Sequence, residues 1–130
     1  MKFSELPLDE RLQRAIVDAK YTTPTPIQEK AIPPVLERKD LMGIAQTGTG
    51  KTAAFALPIL QNLLQGGDSK GQKPIRVLVL LPTRELAIQV SDCFEKYQKY
   101  TRLTSACIFG GVSDLPQKRA LSRGVDTLIA

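Results

Sequence analysis

The sequence contains no histidine and only two cysteines, Cys93 and Cys107, which do not form a CxxC pair. A zinc site therefore has no adequate ligand set, and each thiol reads as a small hydrophobe of the core. No apolar run approaches the roughly 20 residues of a membrane-spanning helix, and the N-terminal MKFSELPLDE lacks the apolar centre of a secretory signal. The expectation is a cytosolic protein with neither zinc nor a membrane partner. Internal repeats and low-complexity tracts are also missing. What is present is the composition of a soluble globular chain, 42% hydrophobic and 24% charged, whereas disorder would need far fewer apolar residues. A length of 130 residues suits one domain or part of one. Eighteen Lys and Arg against 13 Asp and Glu give a formal charge of +5. That balance would suit a polyanionic partner, yet a solvated surface shows as much by itself.

Leu8, Leu12, Ala15, Ile16 and Ala19 recur at helical spacing and predict an amphipathic helix over 7–20. YTTPTPIQ breaks it, and Thr25, Pro26 and Gln28 then form a helix start, with a capping Thr, a Pro at the first position and a Gln to complete a capping box. Pro33 and Pro34 are expected to interrupt this short helix, with a second turn over 35–38. DLMGIA, 40–45, reads as a strand, and 51–65 as a mostly apolar helix kinked at Pro58 and ended by Gly66 and Gly67. GGDSKGQKP is a polar loop. IRVLVLL, 75–81, is a continuous apolar run, as in a strand covered on both faces. Leu86, Val90, Cys93, Phe94 and Tyr97 mark a further helix capped near Thr83. TSACIFG gives another strand, 115–122 a short helix closed by Gly124, and DTLIA a final strand with an open edge that could pair with a neighbour. The alternation predicts an α/β fold of three layers, a parallel sheet between helices with right-handed crossovers. A buried strand stopping at Ala130, with no connection after it, reads as a sheet left incomplete at the C-terminus.

AQTGTGKT, 45–52, lies between the first expected strand and a helix, the context a phosphate-binding loop requires. Gly48 and Gly50 allow positive φ and close approach, so that backbone amides converge on an anion at a helix N-terminus. Lys51 adds a full charge for the β and γ phosphates, and the Thr52 hydroxyl a ligand for Mg²⁺. Ala45 stands where the stricter pattern has glycine. The plainer reading is a glycine-rich turn with a surface lysine.

YTTPTPIQ, then AQTGTGKT, then PTRELAIQV, then FGG resembles, in this order and spacing, the N-terminal RecA-like domain of a DEAD-box RNA helicase, nearest to the bacterial RhlE-like type. The resemblance covers 1–130 as a partial helicase ATP-binding domain, with 1–39 as its Q-motif region. It implies ATP and Mg²⁺ as cofactors, with Ala45, Gln46, Thr47, Gly48, Thr49, Gly50, Lys51 and Thr52 around the phosphates and Lys51 and Thr52 in catalysis. It implies that Tyr21 stacks on adenine, that Gln28 bonds its polar edges, and that Phe3 is the family's isolated upstream aromatic. The residues alone leave Gln28 a helix cap, and Tyr21 and Phe3 ordinary packing. By the same resemblance, Pro82, Thr83, Arg84, Gly110 and Gly111 contact the sugar-phosphate backbone of single-stranded RNA without reading sequence. Read plainly, Thr83 caps a helix, Arg84 is solvated or paired with Glu85, and the glycines form a turn. Lys118, Arg119 and Arg123 read as a solvated helix face.

Hydrolysis needs a carboxylate for the metal, a group to orient water and usually an arginine, and no expected strand ends in an acidic residue. The DEAD tetrapeptide, TPGR-like and SAT segments and a second RecA-like domain are absent from these residues. The expectation is the ATP- and RNA-binding part of a helicase that unwinds short duplexes, inactive by itself. A non-catalytic nucleotide, RNA or protein-interaction module, or a P-loop ATPase acting on DNA or protein, are the alternatives.

Overall fold

In the computed structural model, the described residues are 1–46, 48, 50–66, 74–109 and 115–130. Thr47, Thr49, the polar loop at 67–73, and Gly110 and Gly111 lie outside them.

After a 3-10 turn at Phe3–Glu5, Asp9 starts the first helix, its carboxylate accepting the Arg11 amide at 2.9 Å. Helix α1, Glu10–Asp18, is therefore shorter than 7–20, because a capping side chain ends the extended backbone before it. Leu12, Ala15 and Ile16 fall on one face and are buried. Lys20 turns the chain at φ 63°, which delivers Tyr21 to the end of α1.

Helix α2, Pro26–Leu36, opens on the Thr25–Gln28 capping box, with Gln28 Oε1 accepting the Thr25 amide at 2.9 Å. It does not break at Pro33 and Pro34, as expected, but runs through both. Proline removes amides that would bond one turn back, a loss the buried Ala31 and Ile32 and the packing on the next helix outweigh. The Asn62 side chain also donates to the Val35 carbonyl at 3.0 Å.

Residues 40–45 are not the expected strand. A short apolar run makes a strand only beside a partner ladder, and the strands formed among the described residues pair with one another instead. Met42 and Ile44 are each 87% exposed. Helix α3, Lys51–Gln65, starts at Gly50 and ends at Gly66, enclosing a buried Pro58.

Three parallel strands follow: β1, Val77–Val79; β2, Ser105–Cys107; and β3, Thr127–Ile129, ordered β1-β3-β2. Leu128 pairs with both Leu78 and Ala106. DTLIA is thus the central strand and has no open edge, contrary to expectation. Long-range pairing, which local pattern does not encode, decides this position. Helix α4, Arg84–Gln98, joins β1 to β2, and α5, Leu115–Arg123, joins β2 to β3. These crossovers run in opposite directions across the sheet, so right-handed connections put the two helices on opposite faces. Helices α1 and α3 pack on the α4 side.

One face of β1 joins the core through Val77 and Val79, while Leu78 and Leu80 on the other are 57% and 73% exposed. The strand is covered on one side among the described residues, not on two. The strand starts are pinned by Asp126, 1% exposed, which accepts Arg76 Nη2 at 2.6 Å and the Thr104 amide at 3.0 Å. Arg76 also donates to the Leu63 carbonyl at 3.3 Å, tying the end of α3 to the sheet. Among the described residues no helix is long and apolar enough to cross a membrane.

Candidate functional site

The phosphate-loop sequence and the Tyr21–Gln28 segment meet at one cavity of about 610 Å³. Gly48, Gly50, Lys51 and Thr52 line it from the loop and α3, and Tyr21, Thr25 and Gln28 from the segment before and within α2. Leu86, Val90, Cys93, Lys96 and Tyr97 of α4 form another wall.

Gly48 and Gly50 have φ of 84° and 83°, in the left-handed region that side chains disfavour. The two positions differ in their surroundings. A Cβ on Gly48 would meet nothing within 4 Å, whereas one on Gly50 would lie 2.3 Å from Gln28 Nε2. The closeness reflects a hydrogen bond: Gln28 Nε2 donates to the Gly50 carbonyl at 3.1 Å. That carbonyl also receives the Ala54 amide at 3.2 Å, the first bond of α3. Gln28, 7% exposed, thus caps α2 with its oxygen and holds the N-terminus of α3 with its nitrogen. One lone pair and one N–H of the amide remain for another partner.

The first amides of α3 lack helical acceptors and carry the positive end of its dipole. Lys51 is exposed beside them and Thr52 half-buried. With the Lys51 ammonium beside these amides and no carboxylate among the described residues lining the cavity, this end of α3 suits an anion. The Thr52 hydroxyl fits Mg²⁺ only as one ligand beside phosphate oxygens, since magnesium takes six oxygens and keeps several waters. Burial pushes the Cys93 thiol up to about 11, so it stays neutral at physiological pH, and burial likewise raises Tyr97.

Tyr21 is half exposed at 48%, with its ring toward the cavity and Lys96 Nζ 5.2 Å from its centroid. Phe3 is not brought to the cavity. Its ring is buried with Leu6 and Ile16, and its amide donates to the Thr22 carbonyl beside Tyr21 at 2.9 Å. Ala45 is half-buried and Gln46 exposed, while Thr47 and Thr49 lie outside the described residues.

A second group gathers where β1 runs into α4. Thr83 Oγ1 accepts the Leu86 amide at 3.1 Å and caps the helix, and Pro82, Thr83 and Arg84 are all exposed. The Arg84 guanidinium lies 5.3 Å over the Phe109 ring, at the residue preceding Gly110 and Gly111, themselves outside the described residues. Phe109 and Lys96 are the neighbours that sequence reasoning missed. FGG pointed at the first only through its glycines, and no local signal distinguishes Lys96 from any other lysine on an amphipathic helix.

Comparison with known proteins gives the family. Residues 25–130 match the DEAD/DEAH box helicase family. The chain is 49% identical over 128 residues to the ATP-dependent RNA helicase SrmB of Escherichia coli, covering 98% of this chain and 29% of that protein. It is 50% identical to the ATP-dependent rRNA helicase RRP3 of Meyerozyma guilliermondii, covering 98% and 26%. Among solved structures, the RNA helicase Prp28 of Chaetomium thermophilum bound to ADP superposes with a TM-score of 0.87 at 38% identity, over 98% of this chain and 31% of that one. A DEAD box protein from Methanococcus jannaschii gives 0.85 at 36%, over 99% and 34%. The chain therefore spans about a quarter to a third of the length of these proteins. With a parallel sheet between helices, a glycine loop opening α3 and this match over most of its length, the chain has a RecA-like fold and belongs to the DEAD/DEAH box helicase family.

Proposed function

We propose that the chain is the ATP- and RNA-binding part of a cytosolic, ATP-dependent RNA helicase that separates short duplexes by gripping the backbone of one strand. The observation carrying this reading is that Tyr21 and Gln28 from one segment, and Gly50, Lys51 and Thr52 from another, line one cavity. Adenine stacks on the Tyr21 ring and meets the unused donor and acceptor of Gln28, a pair that can select adenine over guanine. The triphosphate lies at the α3 N-terminus, between the amides of 45–52 and the Lys51 ammonium. The Thr52 hydroxyl would be one ligand of Mg²⁺, which would supply positive charge to the phosphate oxygens.

The rim at Pro82, Thr83 and Arg84 takes the RNA backbone, and the family resemblance adds Gly110 and Gly111 to its contacts. The α4 N-terminus and an exposed guanidinium there supply donors for phosphate without reading bases. These 130 residues include neither the DEAD tetrapeptide nor a carboxylate among the described cavity residues, so on this reading they bind nucleotide weakly at best by themselves and do not turn it over. In the full-length protein, Lys51→Ala removes the charge that meets the transferring phosphoryl group. RNA-stimulated phosphate release should fall about 100-fold, the scale of losing one transition-state stabiliser. Unchanged release in that variant, or equal stimulation by DNA, would defeat the helicase reading.

A further inference from the structure

Tyr21 is held firmly in its main chain and loosely in its ring. Its amide donates to the Ile16 carbonyl at 3.2 Å, and the next residue's carbonyl accepts Phe3 at 2.9 Å, yet the side chain is half exposed. A ring so placed could swing about its side-chain torsions, which a stacking platform must not do. Lys96 is the group that meets it. Its ammonium lies 5.2 Å from the Tyr21 ring centroid and 5.0 Å from that of Tyr97. Tyr97 is 3% exposed and packs in the core beside Phe94 and Val90. One cation thus joins an exposed ring to a fixed one, and all three side chains line the cavity with Gln28.

We propose that Lys96 is a positioning residue for base recognition, its ammonium linking the Tyr21 ring to the buried Tyr97 so that Tyr21 offers a set face to adenine. The inference rests on the adenine reading of Tyr21 and Gln28. It predicts an effect on the base and none on the phosphates, whose charge is met by Lys51 and the amides opening α3. Arg keeps this role, since a guanidinium also sits over aromatic rings, whereas Met keeps the stem and loses the charge.

The test is equilibrium binding of ATP and of inorganic triphosphate to the full-length protein carrying Lys96→Met, Lys96→Arg, Tyr21→Ala, Gln28→Ala, and Lys96→Met with Tyr21→Ala. Lys96→Met should weaken ATP about threefold to fivefold, the scale of one exposed cation–π contact, and leave triphosphate unchanged. Lys96→Arg should bind ATP as the parent does, and Lys96→Met should add nothing once Tyr21 is Ala. Equal losses for ATP and triphosphate would make Lys96 a general attractor of anions and overturn the proposal, as would tighter or unaltered ATP binding by Lys96→Met. Should Tyr21→Ala and Gln28→Ala spare ATP, the adenine reading fails and this inference with it. Should those two weaken ATP while Lys96→Met does not, only the role of Lys96 fails.

Discussion

The cavity at Gly50 and the rim at Arg84 are built in different ways. At the cavity, the buried Gln28 amide bonds the main chain of its own helix start at Thr25 and that of Gly50, 22 residues beyond Gln28, and packs so closely on Gly50 that no side chain fits between them. At the rim, Pro82, Thr83 and Arg84 are exposed, and Arg84 rests over the flat face of Phe109. Selecting one small ligand by its polar edge requires groups fixed before binding, and buried hydrogen bonds fix them. A nucleic-acid backbone is repetitive, so a long cation steadied by a ring can follow its phosphates without fine registry.

Substitutions sharpen this contrast. Gly50→Ala combines a left-handed φ with a Cβ on Gln28 Nε2, so the clamp must open. Adding a left-handed penalty to a lost hydrogen bond gives about 2–4 kcal/mol of destabilisation, read as a lower melting temperature together with loss of nucleotide binding. Gly48→Ala has open space around it and should cost only the conformational part, about 1–2 kcal/mol. Similar losses at the two positions would mean that the Gln28 contact contributes nothing.

At the rim, Arg84→Ala should weaken single-stranded RNA about threefold to tenfold regardless of sequence and reduce the salt slope by about 0.7, measured by anisotropy across a salt series. Phe109→Leu, which removes only the ring beneath the guanidinium, should cost about twofold to fivefold in RNA affinity and leave ATP binding unchanged. An equal loss of ATP affinity in either variant would break the separation between the two sites.

Legibility in the sequence followed the range of the interaction. The start of α4 at Thr83 and the limits of α3 at Gly50 and Gly66 were readable, because caps and glycines act within one turn. The Thr25–Gln28 box was readable for the same reason. The second half of the Gln28 amide was not, since Gly50 is reached only when α2 packs on α3. Residues 40–45 carry the short apolar run of a strand but meet no ladder among the described residues, and DTLIA is central because β1 and β2 both pair with it. Residues 75–81 read as covered on both faces, yet Leu78 and Leu80 are open among the described residues, since coverage depends on which elements pack there. Pro33 and Pro34 were expected to interrupt α2 ahead of a second turn, a local penalty that tertiary burial of Ala31 and Ile32 outweighs. The site residues emerged as motifs; Lys96, opposite Tyr21, has no motif to show it.

The most direct test of the central claim, that Gln28 joins base recognition to the phosphate loop, is calorimetric titration of full-length parent and Gln28→Ala with ATP and with inorganic triphosphate. ATP affinity should fall about tenfold, as for a site left without its hydrogen-bonding partner, while triphosphate changes by about twofold or less. Equal losses for the two ligands, or none for ATP, would contradict the claim.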